Sequence, residues 1–137
     1  MTGALAVVEA WLDAVDRADV EAATALSAPD LEVAGPRGSV RGREVLGPWT
    51  ARAGLTTRPL RWFCGAGGAG GPVAVVVEQD ATWTDPDTGA ERGRAVVASR
   101  FTVDGGVVTT VERHDAGLPA ALAAAGLGPA DEVAVRR

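Results

Sequence analysis

At Thr57 the apolar residues change period, from the three-and-four spacing of a helix to the alternation of a strand, and this switch limits the fold more than any other feature. Upstream, Leu5, Val8, Leu12 and Val15 recur at helical spacing with Trp11 beside them, predicting an amphipathic helix from Ala4 to Arg17. Downstream, Leu60, Trp62 and Cys64 alternate with Arg61 and Phe63. Val73, Val75, Val77, Gln79, Ala81 and Trp83 then alternate with Ala74, Val76, Glu78, Asp80 and Thr82. Asp85 to Gly89 has turn composition. A long strand is expected from Arg94 to Val103, and Asp104-Gly105-Gly106 closes a hairpin into a last strand over Val107–His114. Strands joined in this way build a mostly antiparallel sheet.

The shorter segments complete an α+β pattern. Asp13 and Arg17 are spaced for a helical ion pair. Asp19 is placed to cap a second short helix, Val20 to Ser27, which Pro29 ends. Leu31 and Val33 predict a short strand before the turn residues Gly35, Pro36 and Gly38. A third helix is expected from Arg43 to Ala53, with Val45, Leu46 and Trp49 on one side and Pro48 in its middle. A C-terminal helical stretch, Pro119 to Ala125, stops at Gly126. The expected fold is three N-terminal helices packed on a mostly antiparallel mixed sheet. One domain occupies residues 1–126 and a tail 127–137, since 137 residues bury one core rather than two.

Composition removes several classes of function. With 13 basic and 18 acidic residues the net charge is −5, which argues against nucleic acid or an anionic membrane as partner. No apolar run approaches the roughly 20 residues of a membrane span. Glu9 and Asp13 interrupt the first apolar stretch and no basic segment precedes it, so no signal peptide is read and a cytoplasmic location is expected. Every basic residue is arginine, which excludes a Schiff-base lysine, and the absence of tyrosine excludes a phenolic acid. A single histidine, His114, and a single cysteine, Cys64, cannot assemble a His/Cys metal site, and no disulfide framework is available. Gly65 to Gly70 spells GxGxxG, but Pro72 and a valine strand follow where a nucleotide site needs a helix. Neither metal nor cofactor is expected.

The order of elements resembles the nuclear-transport-factor-2-like superfamily, in the SnoaL-like branch shared by ketosteroid isomerases and polyketide cyclases. The residues carrying the resemblance are the join Ala14-Val15-Asp16-Arg17-Ala18-Asp19 and the passage from helix to strand between Leu26 and Val33. They continue with Gly42-Arg43-Glu44 and the hairpin Arg100-Phe101-Thr102-Val103-Asp104-Gly105-Gly106-Val107. Together these span roughly residues 4 to 116. The resemblance implies a cone, in which a strongly curved sheet wraps an apolar pocket closed by the first helix, and homodimerisation through the sheet. It also implies that the three catalytic positions of the isomerases fall at Trp11, at Ala34 or Gly35, and at Ser99. None of these supplies a base for a carbon-bound proton, so steroid isomerisation is not expected. The cyclases carry an acidic residue near the end of the last strand, and Asp115 lies in that vicinity.

Alternation puts Thr109, Val111, Arg113 and Asp115 on one face if the strand runs that far, and the resemblance turns that face toward the pocket. Asp115 and Arg113 are therefore the candidate catalytic pair, a carboxylate base with a guanidinium to steady a developing enolate or carboxylate. Asp115 capping the following helix, with Arg113 as its ion-pair partner, is the structural alternative. His114 and Asp115 are adjacent and diverge, so they do not form a triad with Cys64 or Ser99. Cys64 reads as a small core residue. Trp11, Trp49, Trp62 and Trp83 read first as core fillers in an alanine-rich interior; the functional alternative makes Trp11, Trp49 and Trp62, with Phe101 and Val111, the walls for a flat apolar ligand and Ser99 its polar handle. The expected function is a pocket protein for a hydrophobic cyclic molecule, acting by acid/base catalysis, or else a non-catalytic dimeric ligand-binding or interaction module. The expected partners are a small hydrophobic molecule and a second copy of the chain.

Overall fold

The computed structural model describes residues 3–35, 38–47, 55–65, 71–85 and 87–134. Helix α1 runs over Gly3–Asp16 and α2 over Val20–Ala25, and α3 is the C-terminal helix Leu118–Ala125. The strands are β1 (Ser27–Gly35), β2 (Gly38–Arg41), β3 (Leu55–Cys64), β4 (Val73–Thr84), β5 (Glu91–Asp104), β6 (Val107–His114) and β7 (Glu132–Val133). They form one sheet in the order β2-β1-β6-β5-β4-β3-β7. The β1–β6 pairing is parallel and all other pairings are antiparallel, so the sheet is mixed and mostly antiparallel.

Local chemistry accounts for most of the element ends. The Asp19 side chain accepts from Ala22 N–H at 3.1 Å, satisfying one orphan donor of α2. Gly126, at φ 71°, closes α3 in the left-handed conformation that a side chain disfavours. The Asp104–Val107 hairpin turns through Gly105 and Gly106, both at positive φ, the geometry that matches strand twist. Asp13 and Arg17 form the ion pair their spacing suggests, at 3.0 Å.

Two differences from the sequence expectation matter. The third helical segment begins as a single 3-10 turn, Arg43–Val45, continuing helically through Gly47, and residues 48–54 lie outside the described residues. After Gly126, residues 127–134 return to the sheet: a second 3-10 turn, Pro129–Asp131, leads into β7, which pairs with Trp62 and Phe63 of β3. Val133 packs on the main core, and Glu132 holds Arg61 at 2.8 Å.

Alternation splits the buried residues between two faces. On the inner face, Val8, Trp11 and Leu12 of α1 meet Trp62, Val75, Val77, Phe101, Val103, Val108 and Val111 of the sheet. On the outer face, α3 places Ala121 and Leu122 over Phe63, Val76 and Ala98. The valines at 75, 76 and 77 are all buried because β4 is covered on both sides at that level. Register shifts near Pro59, Thr102 and Trp83 interrupt the ladders, the kind of irregularity that increases local twist and bend. The shift in β6 also moves a face: Val108, rather than Thr109, joins Val111 in the inner core, and the Thr109 hydroxyl donates to Thr102 O at 3.2 Å.

Candidate functional site

Where the sheet curls away from the C-terminal half of α1, the inner face leaves a cavity of about 200 Å³. Trp11, Leu12 and Val15 form the helical wall. Ala81, Val97, Phe101 and Val111 form the apolar sheet wall, and Ala34, Gly35, Gly38 and Thr57 lie around the open end. Trp11 meets Phe101 edge to face, 5.6 Å between ring centroids. The indole is held from behind: Trp11 Nε1–H donates to Ser27 Oγ at 2.9 Å, and Ser27 donates to Ala23 O at 2.7 Å. Asp16 Oδ1 accepts from Thr57 N–H at 3.1 Å, tying the end of α1 to β3 beside the opening.

Four polar side chains interrupt this apolar lining: Thr57 of β3, bonded to Asp16, and one from each of β4, β5 and β6. The buried Ser99 hydroxyl donates to the buried Gln79 Oε1 at 2.7 Å, which leaves the Gln79 amide N–H groups without a protein acceptor among the described residues. Arg113 stands opposite Ser99 in the β5–β6 register and is about one-third exposed, with a side-chain value of 34 %, so it marks the rim. Its guanidinium carbon lies 5.6 Å from the centre of the Trp83 ring. Its Nε is 2.8 Å from Asp115 Oδ1, but that N–H is not directed along the contact. The aligned hydrogen bond runs from Nη2 to Asp115 Oδ2 at 3.4 Å.

The structure brings Trp11, Ser99, Phe101, Val111 and Arg113 to the cavity wall. Asp115 lies just past the end of β6, in a turn, half-exposed and held by Arg113. The residue capping α3 is Gly117, with no side-chain bond, so Asp115 does not serve as its cap. Trp62 is buried in the main core between Val77 and Val133 on its neighbouring strands, and Trp49 lies outside the described residues. Gln79 is the polar residue that sequence reading passed over. Its signal was there, one amide in phase with Val75, Val77 and Ala81 on a strand face otherwise apolar.

The remaining reactive groups sit elsewhere. His114 faces outward, its Nε2 2.6 Å from Glu112 Oε1, and Arg100 Nε reaches the same oxygen at 3.3 Å. Burial pushes the Glu112 carboxyl up, yet the hydrogen bonds from His114 and Arg100 outweigh it and hold the group below its ordinary range. Burial, with a smaller push from Asp131, raises the Cys64 thiol, the opposite of an activated nucleophile. Among the described residues no three His, Cys, Asp or Glu side chains converge as metal ligands, and no helix is long and apolar enough to cross a membrane. Most of the glycine-rich stretch, residues 66–70, lies outside the described residues.

Comparison with known proteins agrees with this geometry. Residues 8–111 match the family of SnoaL-like domains. No functionally curated protein matches the sequence. Among solved structures, an NTF2-like protein from Cytophaga hutchinsonii superposes with a TM-score of 0.63 at 14% identity, covering 79% of this chain and 85% of its own. A candidate polyketide cyclase from Xanthomonas campestris pv. campestris gives 0.59 at 19% identity, with coverage of 80% and 87%. The Orange Carotenoid Protein of Anabaena (Nostoc) sp. PCC 7120, which binds canthaxanthin, gives 0.69 at 16% identity; the match covers 89% of this chain and 38% of that one. At these identities the structural likeness speaks to the fold alone, whereas the family match extends over most of the sequence. The chain belongs to the SnoaL-like domain family and has its NTF2-like α+β fold.

Proposed function

We propose that the protein binds a small hydrophobic cyclic molecule in the inner cavity, flat against Trp11 and Phe101, with its polar end toward Ser99, Gln79 and Arg113. The observation that carries this reading is the mostly apolar cavity of about 200 Å³, open at one end and lined by a buried serine–glutamine pair. A dry cavity of about 150 Å³ accepts benzene, so this one suits a ligand of one or two rings, on the order of ten non-hydrogen atoms. In this proposal the protein works in the cytoplasm, which keeps a lone cysteine such as Cys64 reduced, and as a homodimer joined through the outer sheet face, where Val96 is exposed.

A second reading adds catalysis, with Asp115 as base and Arg113 stabilising the enolate or carboxylate that forms. It is supported by the 2.8 Å approach of the two groups at the rim. Simple binding is favoured by the lining: among its described residues Arg113 is the sole ionisable group, and no carboxylate lies within.

Tryptophan fluorescence during titration with one-, two- and four-ring apolar ligands separates the possibilities. One- and two-ring ligands should quench saturably and four-ring ligands should not. Absence of quenching by every ligand contradicts the binding reading. Where a ligand is turned over, loss of turnover in Asp115→Asn supports the catalytic reading, and its persistence contradicts it.

A further inference from the structure

We infer that the ligand of this cavity is an anion: a flat one- or two-ring molecule whose carboxylate, enolate or phenolate oxygen is taken by Arg113. The inference rests on the reading that the cavity binds a small cyclic molecule and adds the chemical class.

Three of the four polar side chains of the lining form a continuous row, and the fourth, Thr57, is bonded to Asp16 instead. Ser99 is directly opposite Arg113 across β5–β6 and hydrogen-bonds to Gln79 on the other side, so the row crosses three adjacent strands from floor to rim. Its donors and acceptors are unequally committed. The Ser99 hydrogen goes to Gln79 Oε1, leaving the amide N–H groups of Gln79 to donate. Arg113 carries donors only, and Asp115 engages Nη2 and lies beside Nε, which leaves Nη1 without a partner among the described residues. A bound molecule therefore meets two donor groups along one edge, one of them cationic, within walls that are otherwise mostly apolar. A neutral hydrocarbon would leave those donors unanswered, whereas an oxygen-bearing anion answers both.

Asp115 has a specific place in this arrangement. Its carboxylate rests on the guanidinium and is half-exposed, so it holds the position that an incoming ligand anion would contest. It acts as an internal competitor, orienting Arg113 while the cavity is empty and weakening anion binding by its presence.

Calorimetric titration with cinnamate and its neutral isostere cinnamamide tests the inference, using the wild-type chain, Arg113→Gln and Asp115→Asn. The expected result is that wild type binds cinnamate about tenfold or more tightly than cinnamamide. Arg113→Gln should weaken cinnamate binding about tenfold or more and cinnamamide binding much less, so that the preference disappears, and saturable cinnamamide binding reports an intact cavity. Asp115→Asn should bind cinnamate about two- to fivefold more tightly than wild type. Equal affinity of wild type for acid and amide overturns the inference while leaving the binding reading standing. Arg113→Gln weakening both probes alike also overturns it. Binding of neither probe defeats the inference together with the binding reading.

Discussion

Ser99 and Arg113 face each other across the β5–β6 ladder, and both side chains line the same cavity. The pairing follows from the two-residue Asp104–Val107 hairpin and the single register shift near Thr102, which set β5 against β6 and thereby bring a buried hydroxyl beside a rim guanidinium. Sequence, turn chemistry and site geometry are linked at this one point, and the consequences can be measured.

Ser27 supports the cavity from behind. Ser27→Ala removes the acceptor of the Trp11 indole N–H and the donor to Ala23 O, both buried. The expected loss is about 1–3 kcal/mol in urea unfolding. Ligand affinity should fall as well, because the Trp11 wall loses an anchor. An unchanged unfolding midpoint would contradict this role.

The two faces of the sheet should respond differently to truncation. Phe63→Ala opens the outer core beneath α3, and Phe101→Ala opens the cavity wall. Each should cost about 3–5 kcal/mol. Only Phe101→Ala should change ligand selection, admitting a larger ring system, whereas Phe63→Ala should leave the preference as in wild type. Denaturation and ligand titration on the same samples check both halves.

Acid should destabilise the protein through three carboxylates. Asp80 is held below its ordinary range by hydrogen bonds from Arg94, with Arg58 adding its charge, and Glu132 is lowered by Arg61. Glu112 is lowered by His114 and Arg100 against its burial. A depressed folded-state value means that the stabilisation is complete above the unfolded carboxylate range and disappears as pH falls through the depressed values. Unfolding midpoints should hold steady from neutrality to about pH 5 and decline below about pH 4. In an Asp80→Asn, Glu132→Gln double variant the decline should be shallower. An identical acid limb would contradict the assignment.

The elements legible in the sequence are those with either a sustained period or a specific capping residue. Strand β6 has the bounds its alternation suggests, Val107–His114, and Asp19 and Gly126 mark helix ends as their chemistry requires. Strand β2 carries no such signal. It is short and exposed along its whole length, and the glycines flanking Pro36 resemble a turn. Strand β7 is two residues long and defined by its neighbour β3 rather than by its own pattern. The bulge in β6 shows why strand parity misleads near a curve. Counting by twos from Val111 reaches Thr109, yet the extra residue turns Val108 inward. The site was legible in part for the same reason. Phe101, Ser99, Val111 and Arg113 follow from regular alternation on β5 and β6, whereas Trp62 is also in phase on its strand but sits within the main core. Ser27 gave no sign, because its partner is sixteen residues away and brought there only by folding.

If the inner cavity of about 200 Å³ is a ligand site, filling it should abolish binding. Ala81 is buried in its wall, so Ala81→Phe should fill the space with an apolar ring without removing any polar group. The most direct measurement is a calorimetric titration of 2-naphthol, two rings with one oxygen for the polar end, into wild type and Ala81→Phe, with thermal unfolding to verify that both are folded. Wild type should bind saturably with one-to-one stoichiometry, and the folded variant should not bind. Equal binding by the two, or no binding by wild type, would contradict a ligand site in this cavity.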